Sequence, residues 1–256
     1  MLPETFSRRD FLRLSNAAGL AVAGAAFLDA SEVRAQSAGK RAKIRIGQIG
    51  TAHAHAAGKM ETMRASEEYE VVGVVEPDAE RRAAVDASKT YAGVPWMTEE
   101  QLLGTPGLQA VVVETLVKDL VPTAARCIAA GKHIHLDKPA GESLSEFKRL
   151  LDDATNRKLT VQMGYMLRYN PAFQLCFQLV RDGVLGDVFS IDAAMSKALG
   201  AAERRNLIPY RGGAMFELGC HVIDAVITVM GRPAKVTPYS RSVSPLNDGQ
   251  IGRAHV

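Results

Sequence analysis

A lysine at the tip of an apolar strand is a poor structural choice and a useful chemical one. Ile134-His135-Leu136 runs directly into Asp137-Lys138-Pro139. Open α/β sheets bind ligands just beyond the carboxyl ends of their strands, so Lys138 is aimed at a cleft. Further along, Glu217, His221, Asp224 and Thr228 recur at spacings of four, three and four, which on a helix gathers them within about 60° of one another. The residues around them, Leu218, Val222, Ile223, Ala225, Val226, Ile227 and Val229, are apolar or small. A helix apolar almost all round is a buried one. Its narrow polar stripe must then face partners or a cleft, because unpaired buried carboxylates and imidazoles are costly. These residue types suit oxidation of a secondary alcohol. His221 takes the hydroxyl proton near neutral pH while Lys138 steadies the developing alkoxide. Asp224 orients the imidazole or meets the substrate, and a nicotinamide accepts the hydride.

A nicotinamide needs a nucleotide site. Gly47-Gln48-Ile49-Gly50-Thr51-Ala52-His53-Ala54-His55 follows the first apolar strand. The dinucleotide fingerprint G-x-G-x-x-G lies between a strand and a helix; Gly50 fits its first glycine, Ala52 stands at the second and His55 at the third. A helix starting near His53 offers free N–H groups to phosphates, with Thr51 in the turn. A strand-to-helix turn without a ligand would read the same way. Glu76 ends the second strand, 26 residues after Gly50. A carboxylate there accepts hydrogen bonds from the ribose hydroxyls and repels a 2′-phosphate, favouring NAD(H) over NADP(H); a plain helix N-terminal carboxylate before Pro77 is the alternative. Arg81 and Arg82 lie further into the next helix. His53 and His55 flank the turn, but a metal there needs a third ligand that the sequence does not place, so no metal is expected; phosphate orientation or packing remains open for both.

The elements that must position these residues alternate regularly. Strands are expected at Lys43–Ile49, Val71–Val75, Ala110–Val113, His133–Leu136 and Thr160–Met163, and helices at His53–Arg64, Ala79–Tyr91, Leu120–Ala130 and Leu144–Arg157. Continuous apolar strands between helices indicate βαβ units and a doubly wound, Rossmann-type parallel sheet, an α/β fold. The pattern changes after Tyr165. A helix at Pro171–Asp182, a strand at Val188–Ala194, a loop-like stretch from Met195 to Gly213, a helix at Ala214–Met230 and a short strand at Lys235–Tyr239 follow. Residues 43–165 are therefore expected to form the nucleotide domain and 166–239 a partial α+β domain. Residues 240–256 read as an irregular polar tail. Its last six, Ile251-Gly252-Arg253-Ala254-His255-Val256, match one reading frame of a widely used sequencing adapter, so the natural C-terminus is expected to differ.

Composition narrows the partners. Lys plus Arg number 31 against 28 acidic residues, a net +3, and no basic run alternates with aromatics, which argues against nucleic acid. Ser7-Arg8-Arg9-Asp10-Phe11-Leu12 is a twin-arginine pattern, followed by an uncharged run from Ala17 to Leu28 and small residues at Val33-Arg34-Ala35. The run is too short to span a bilayer and the right size for a signal h-region. Residues 1–35 are thus expected to be a twin-arginine signal and 36–42 a linker. The mature protein would be exported, periplasmic and without a membrane anchor. Cys127, Cys176 and Cys220 show neither metal-ligand spacing nor a disulfide framework and are read as packing residues.

Taken in order, the phosphate turn, Glu76, Gly131-Lys132-His133 leading into Asp137-Lys138-Pro139, Arg168-Tyr169-Asn170-Pro171, Gly212-Gly213-Ala214 and the Glu217…His221…Asp224 helix resemble the Gfo/Idh/MocA oxidoreductase family. The likeness runs from about Lys43 to Val236. It implies that Lys138 is catalytic and contacts nicotinamide and substrate, with Asp137 in the place of the family's usual glutamate. The family's aspartate–histidine pair falls on Glu217 and His221, and its Thr-Pro appears as Thr115-Leu116. Gly50, Thr51, Ala52, His53, Glu76, Thr115, Asp137 and Lys138 are accordingly expected to meet the cofactor, and Arg168, Tyr169, Asn170 and Asp224 the substrate, or, for the first three of these, the domain junction. The resemblance also implies a sugar, cyclitol or related polyol substrate and a C-terminal domain with a large, mostly antiparallel sheet. That sheet often forms a homo-oligomer interface, and little of it is present here, so the chain is expected to be a fragment. An NAD-dependent glycoside hydrolase using transient oxidation and a non-catalytic nucleotide- or sugar-binding protein are the other readings.

Overall fold

A computed structural model of the chain describes residues 42–197, 200–208, 210, 213–242 and 250–255; the expected signal lies outside the described residues. Five strands form the central sheet: β1 (Ile44–Ile49), β2 (Tyr69–Val75), β3 (Ala110–Val113), β4 (His133–Leu136) and β5 (Val161–Met163). Their spatial order is β2-β1-β3-β4-β5 and every pairing is parallel. The winding reverses between β1 and β3, the place where such sheets open a crevice for a ligand. Beyond β2, Val74 N–H donates to Pro95 O and Met97 N–H to Val74 O, each at 2.9 Å. This parallel bridge between Val74 and Trp96 stands where the outer strand of a six-stranded nucleotide-binding sheet would run. The Rossmann-type architecture expected from the sequence is present, with its outermost strand reduced to that bridge.

The unbroken apolar run of β3 follows from its position. Val111 and Val113 pack in one cluster with Leu120, Ala124, Ile128 and Leu150, and Val112 in another with Met60, Met63 and Tyr91. Side chains alternate faces along a strand, so a sheet covered on both sides needs apolar residues at every position. Each fully buried Val or Leu contributes about 1.5–3 kcal/mol.

The helices are α1 (Ala56–Ala65), α2 (Ala79–Asp86), α3 (Glu99–Leu103), α4 (Val117–Ala129), α5 (Leu144–Asn156), α6 (Pro171–Arg181), α7 (Ala201–Leu207) and α8 (Gly213–Met230), with a 3-10 turn at Met166–Tyr169. Several begin at side chains that satisfy free backbone donors. Asp78 accepts from Arg81 N, Thr98 and Gln101 form a reciprocal capping box, and Ser143 accepts from Glu146 N.

The departures from expectation have local causes. α1 begins at Ala56 rather than His53 because His53 N–H is committed to Glu114 O at 3.0 Å, tying that residue to the end of β3. α2 ends at Asp86, and Tyr91 instead turns into the core at 3% exposure. α4 starts at Val117, three residues early, and accommodates Pro122 inside it. Residues 188–194 form no strand; a strand exists only through a ladder, and among the described residues none pairs with them. The stretch read as a loop contains α7. The tail read as irregular contributes to a hairpin, β6 (Thr237–Ser242) antiparallel to β7 (Gln250–His255), whose backbone ladder leaves no hydropathy signature. α8 is not buried all round, since Ile223, Ile227 and Met230 are each more than two-fifths exposed. Of the cysteines only Cys127 is buried, and Cys176 is exposed rather than packed. From Ile44 onward the described residues pack as one compact unit. No helix among them is long and apolar enough to cross a membrane.

Candidate active site

The carboxyl ends of β1, β2 and β3 converge on a cleft of about 610 Å³ lined by Gly50, Ala52, Glu76, Arg81, Arg82 and Thr115, among others. Gly50 has φ +91°, and a Cβ there would lie 2.7 Å from the backbone of Glu114 and Thr115. The ends of β1 and β3 approach this closely only because glycine stands at the crossing. Glu76 is 9% exposed. Its Oε2 accepts from Thr51 N at 2.8 Å and Thr51 Oγ1 at 2.6 Å, and its Oε1 accepts from Asp78 N at 3.0 Å. The carboxylate therefore clamps the turn after β1 to the end of β2. Arg81 and Arg82 line the same cleft, in the first turn of the helix that Asp78 caps. An acidic floor, a turn open to close backbone approach and a basic wall at the switch point make a donor set that fits a dinucleotide.

At the tip of β4, the Lys138–Pro139 peptide is cis. The Lys138 side chain is 2% exposed, and its Nζ donates to Glu217 O at 3.0 Å and to the Glu217 carboxylate. Lys138 N–H donates to Asp137 Oδ1 at 2.6 Å. His221, 3% exposed, lies edge-on to Tyr165 with ring centres 6.4 Å apart. Its Nδ1 has no hydrogen-bond partner among the described residues. Burial, reinforced by the Lys138 ammonium, holds the imidazole below its ordinary 6.5, so near neutral pH it stands ready to accept a proton. The structure thus brings Lys138, Glu217 and His221 together, and the longer glutamate reaches the lysine rather than the histidine.

Three of the four residues expected to meet substrate have partners within the protein. Arg168 binds Asp224 through two parallel bonds, Nε to Oδ2 at 2.8 Å and Nη2 to Oδ1 at 2.6 Å. Its guanidinium carbon lies 5.4 Å from the centre of the Tyr165 ring. Asp224 therefore anchors the 3-10 turn to α8 instead of orienting His221. Asn170 Oδ1 accepts from Ala172 N at 3.0 Å and Phe173 N at 3.4 Å, making it the N-cap of α6. Tyr169 is 59% exposed. Thr115, 8% exposed, faces the cleft, and its hydroxyl donates to Leu116 O at 3.3 Å.

A second polar cluster, absent from the sequence reading, surrounds Asp137. His53 Nε2 is 3.0 Å from Lys138 O, and its Nδ1 is 3.3 Å from Asp137 Oδ2 and 3.6 Å from Glu114 Oε2. His55 Nδ1 is 3.0 Å from Asp137 Oδ2. Lys59 Nζ lies 3.6 Å from Asp137 Oδ2 and 3.9 Å from Glu114 Oε1 and contacts His135 Nε2. Glu114 and Asp137 are both fully buried. Burial, with Asp137 beside it, pushes the Glu114 carboxyl up. Burial acts on Asp137 in the same sense, but the His55 hydrogen bond and the charges of His53 and Lys59 outweigh it and hold Asp137 down. The overlooked signal was a charge closing the buried run Val111-Val112-Val113-Glu114, and an imidazole, His135, inside β4.

Two family models match successive parts of the chain: one described as "Oxidoreductase family, NAD-binding Rossmann fold" over residues 44–165, and the GFO/IDH/MocA C-terminal domain over residues 173–252. Among curated proteins, an uncharacterized oxidoreductase, ORF334, of Rhizobium meliloti is 30% identical over 77% of this chain and 59% of its own length. The trans-1,2-dihydrobenzene-1,2-diol dehydrogenase of Macaca fuscata fuscata is 27% identical over 68% of this chain and 52% of its own. The chain spans little more than half the length of these relatives. An oxidoreductase from Agrobacterium radiobacter, solved with NAD+, L-tartaric acid and magnesium, shares the fold at 16% identity and a TM-score of 0.68, covering 82% of this chain and 61% of that one.

Proposed function

The chain belongs to the GFO/IDH/MocA oxidoreductase family, and from that premise we propose that it serves a nicotinamide-dependent oxidoreductase acting on a C–OH group of a sugar, cyclitol or related polyol. The observation that carries this reading is a buried lysine, Lys138, paired with Glu217 beside the unpartnered Nδ1 of His221, at the strand tip next to the switch-point cleft. When bound, the nucleotide supplies the hydride acceptor or donor. Gly50, Thr51, Ala52 and Thr115 would hold its phosphate side, and Glu76 its ribose. The floor carboxylate supports NAD(H) over NADP(H), although Arg81 and Arg82 share the cleft.

The chain's own residues divide the remaining work. Lys138 Nζ holds a substrate hydroxyl oxygen and steadies negative charge as it develops there. The neutral His221 imidazole takes the hydroxyl proton. Glu217, 31% exposed at the mouth of this site, balances the ammonium between turnovers and offers a proton path outward. In the reverse direction His221 returns the proton. We further propose export through the twin-arginine pathway, supported by Ser7-Arg8-Arg9-Asp10-Phe11-Leu12 and the apolar run after it, and homo-oligomerisation through the C-terminal domain of the whole protein.

The test compares the wild-type full-length protein with Lys138→Ala for nucleotide binding and for reduction of NAD+ on a polyol panel. Binding by both, with reduction by the wild type alone, is the expected result. Binding without reduction by either would favour the hydrolase or binding-protein reading, and no binding would overturn the nucleotide site.

A further inference from the structure

We propose that His53, His55 and Asp137 form a site for a divalent transition metal of the zinc class, with the Glu114 carboxylate behind it. The three donor atoms lie within 4.8 Å of one another. His55 Nδ1 and His53 Nδ1 stand 3.0 Å and 3.3 Å from the same Asp137 oxygen. Ligands at about 2.0–2.1 Å around a tetrahedral zinc are separated by roughly 3.3 Å, so the side chains need little movement to close on an ion. Two histidines and a carboxylate are a common zinc set and leave one position open.

Hydrogen bonding around His53 points the same way. Its Nε2 meets the Lys138 carbonyl at 3.0 Å, which requires a proton on that nitrogen. Its Nδ1 accepts from His55 N–H at 3.3 Å, which requires a lone pair. A ligating histidine that donates its other N–H to a backbone carbonyl is the usual outer arrangement of metal sites. Here the Nδ1 lone pair also faces Asp137 Oδ2 and, at 3.6 Å, Glu114 Oε2. Three acceptors converging on one space need either a proton or a cation among them. Glu114 is fully buried, and neither of its oxygens has a hydrogen-bond partner among the described residues. The Lys59 ammonium, 3.6 Å and 3.9 Å from the two carboxylates, answers only part of their charge and competes with the ion for it. His55, about half exposed, supplies the entry path.

Its test needs neither nucleotide nor substrate. The 256-residue chain, stripped with a chelator, is titrated with Co(II) and then Zn(II). The expected result is one equivalent of Co(II) bound with visible ligand-field absorption, displaced by Zn(II). His55→Ala, at the exposed edge of the cluster, should weaken binding at least tenfold while circular dichroism stays native. Lys59→Gln should tighten binding several-fold by removing the competing ammonium. Absence of ligand-field absorption in the wild type would overturn the proposal and leave protons as the charge balance of the cluster. Binding unchanged by His55→Ala would overturn it equally, by placing the ion elsewhere.

Discussion

Replacing Glu217 by glutamine removes the counter-charge of Lys138 while keeping the shape of the side chain. Lys138 is 2% exposed and Glu217 31%. Removing one partner of a fully buried ion pair costs about 3–5 kcal/mol, because the other charge is left uncompensated. Two features lessen that cost here. Glu217 already touches solvent, and the 3.0 Å bond from Lys138 Nζ to Glu217 O survives the substitution. Roughly half the full penalty, about 2 kcal/mol, is therefore expected. For a chain of this size about 1 kcal/mol moves the melting midpoint by about 2–4 °C, so Glu217→Gln should melt about 4–8 °C lower. Lys138→Met should cost less, since Glu217 can turn to water, and the double variant should recover much of the loss. Urea unfolding of all four proteins at neutral pH closes the cycle, with an expected coupling of about 1–2 kcal/mol. The cycle should persist in high salt, because a partly buried pair is weakly screened. Wild-type stability in Glu217→Gln, or strict additivity in the double variant, would refute a buried lysine held by this carboxylate.

Gly50→Ala puts a Cβ 2.7 Å from the Glu114 and Thr115 backbone at φ +91°; a loss of about 2–4 kcal/mol, with weakened nucleotide binding, is expected from strain at a position where only glycine is easy, measured by urea unfolding and nucleotide titration. For His221 the folded-state pKa lies below the unfolded value, so the unfolded chain takes up its proton first as pH falls. The stability it contributes is present above pH ~6.5 and is lost as pH drops through the lower folded value, and His221→Gln should flatten urea midpoints plotted from pH 7 to pH 5. Its ionisation should also set the acid limb of the pH–rate profile below ~6.5, a limb that His221→Gln removes. Asn170→Ala should cost about 1 kcal/mol as a lost helix cap while leaving KM for substrate unchanged; a large rise in KM without a change in stability would restore Asn170 to the pocket.

The βαβ frame was legible because burial on both faces forces unbroken apolar strands such as Val111-Val112-Val113, and because chemistry at such a sheet is confined to strand tips, where Gly50, Glu76, Thr115 and Lys138 all stand. The helical spacing of Glu217 and His221 likewise put both on one face of α8, where Glu217 pairs with Lys138 and His221 feels its charge. The same spacing could not show the partner of Asp224, since a helical pattern reports which side chains share a face and nothing about what opposes them; the opposing group is Arg168. The cap role of Asn170 was hidden for a related reason. A cap and a pocket residue are the same amide in sequence, and only the free donors of α6 distinguish them.

What the sequence determined by itself is therefore local and periodic: the order of strands and helices, the strand tips and the polar stripe of α8. What the tertiary structure decided is pairing across distance. Glu114, His135 and Lys59 were invisible as a group because three separate elements, each reasonable alone, carry them. The parallel register of β3 with β4 sets Val113 beside Leu136, so the residues that follow, Glu114 and Asp137, emerge side by side, and the turn after β1 lays His53 and His55 over them. A buried charge cluster is a property of that convergence, because the cost of desolvating each group is met only by neighbours that sequence separation conceals.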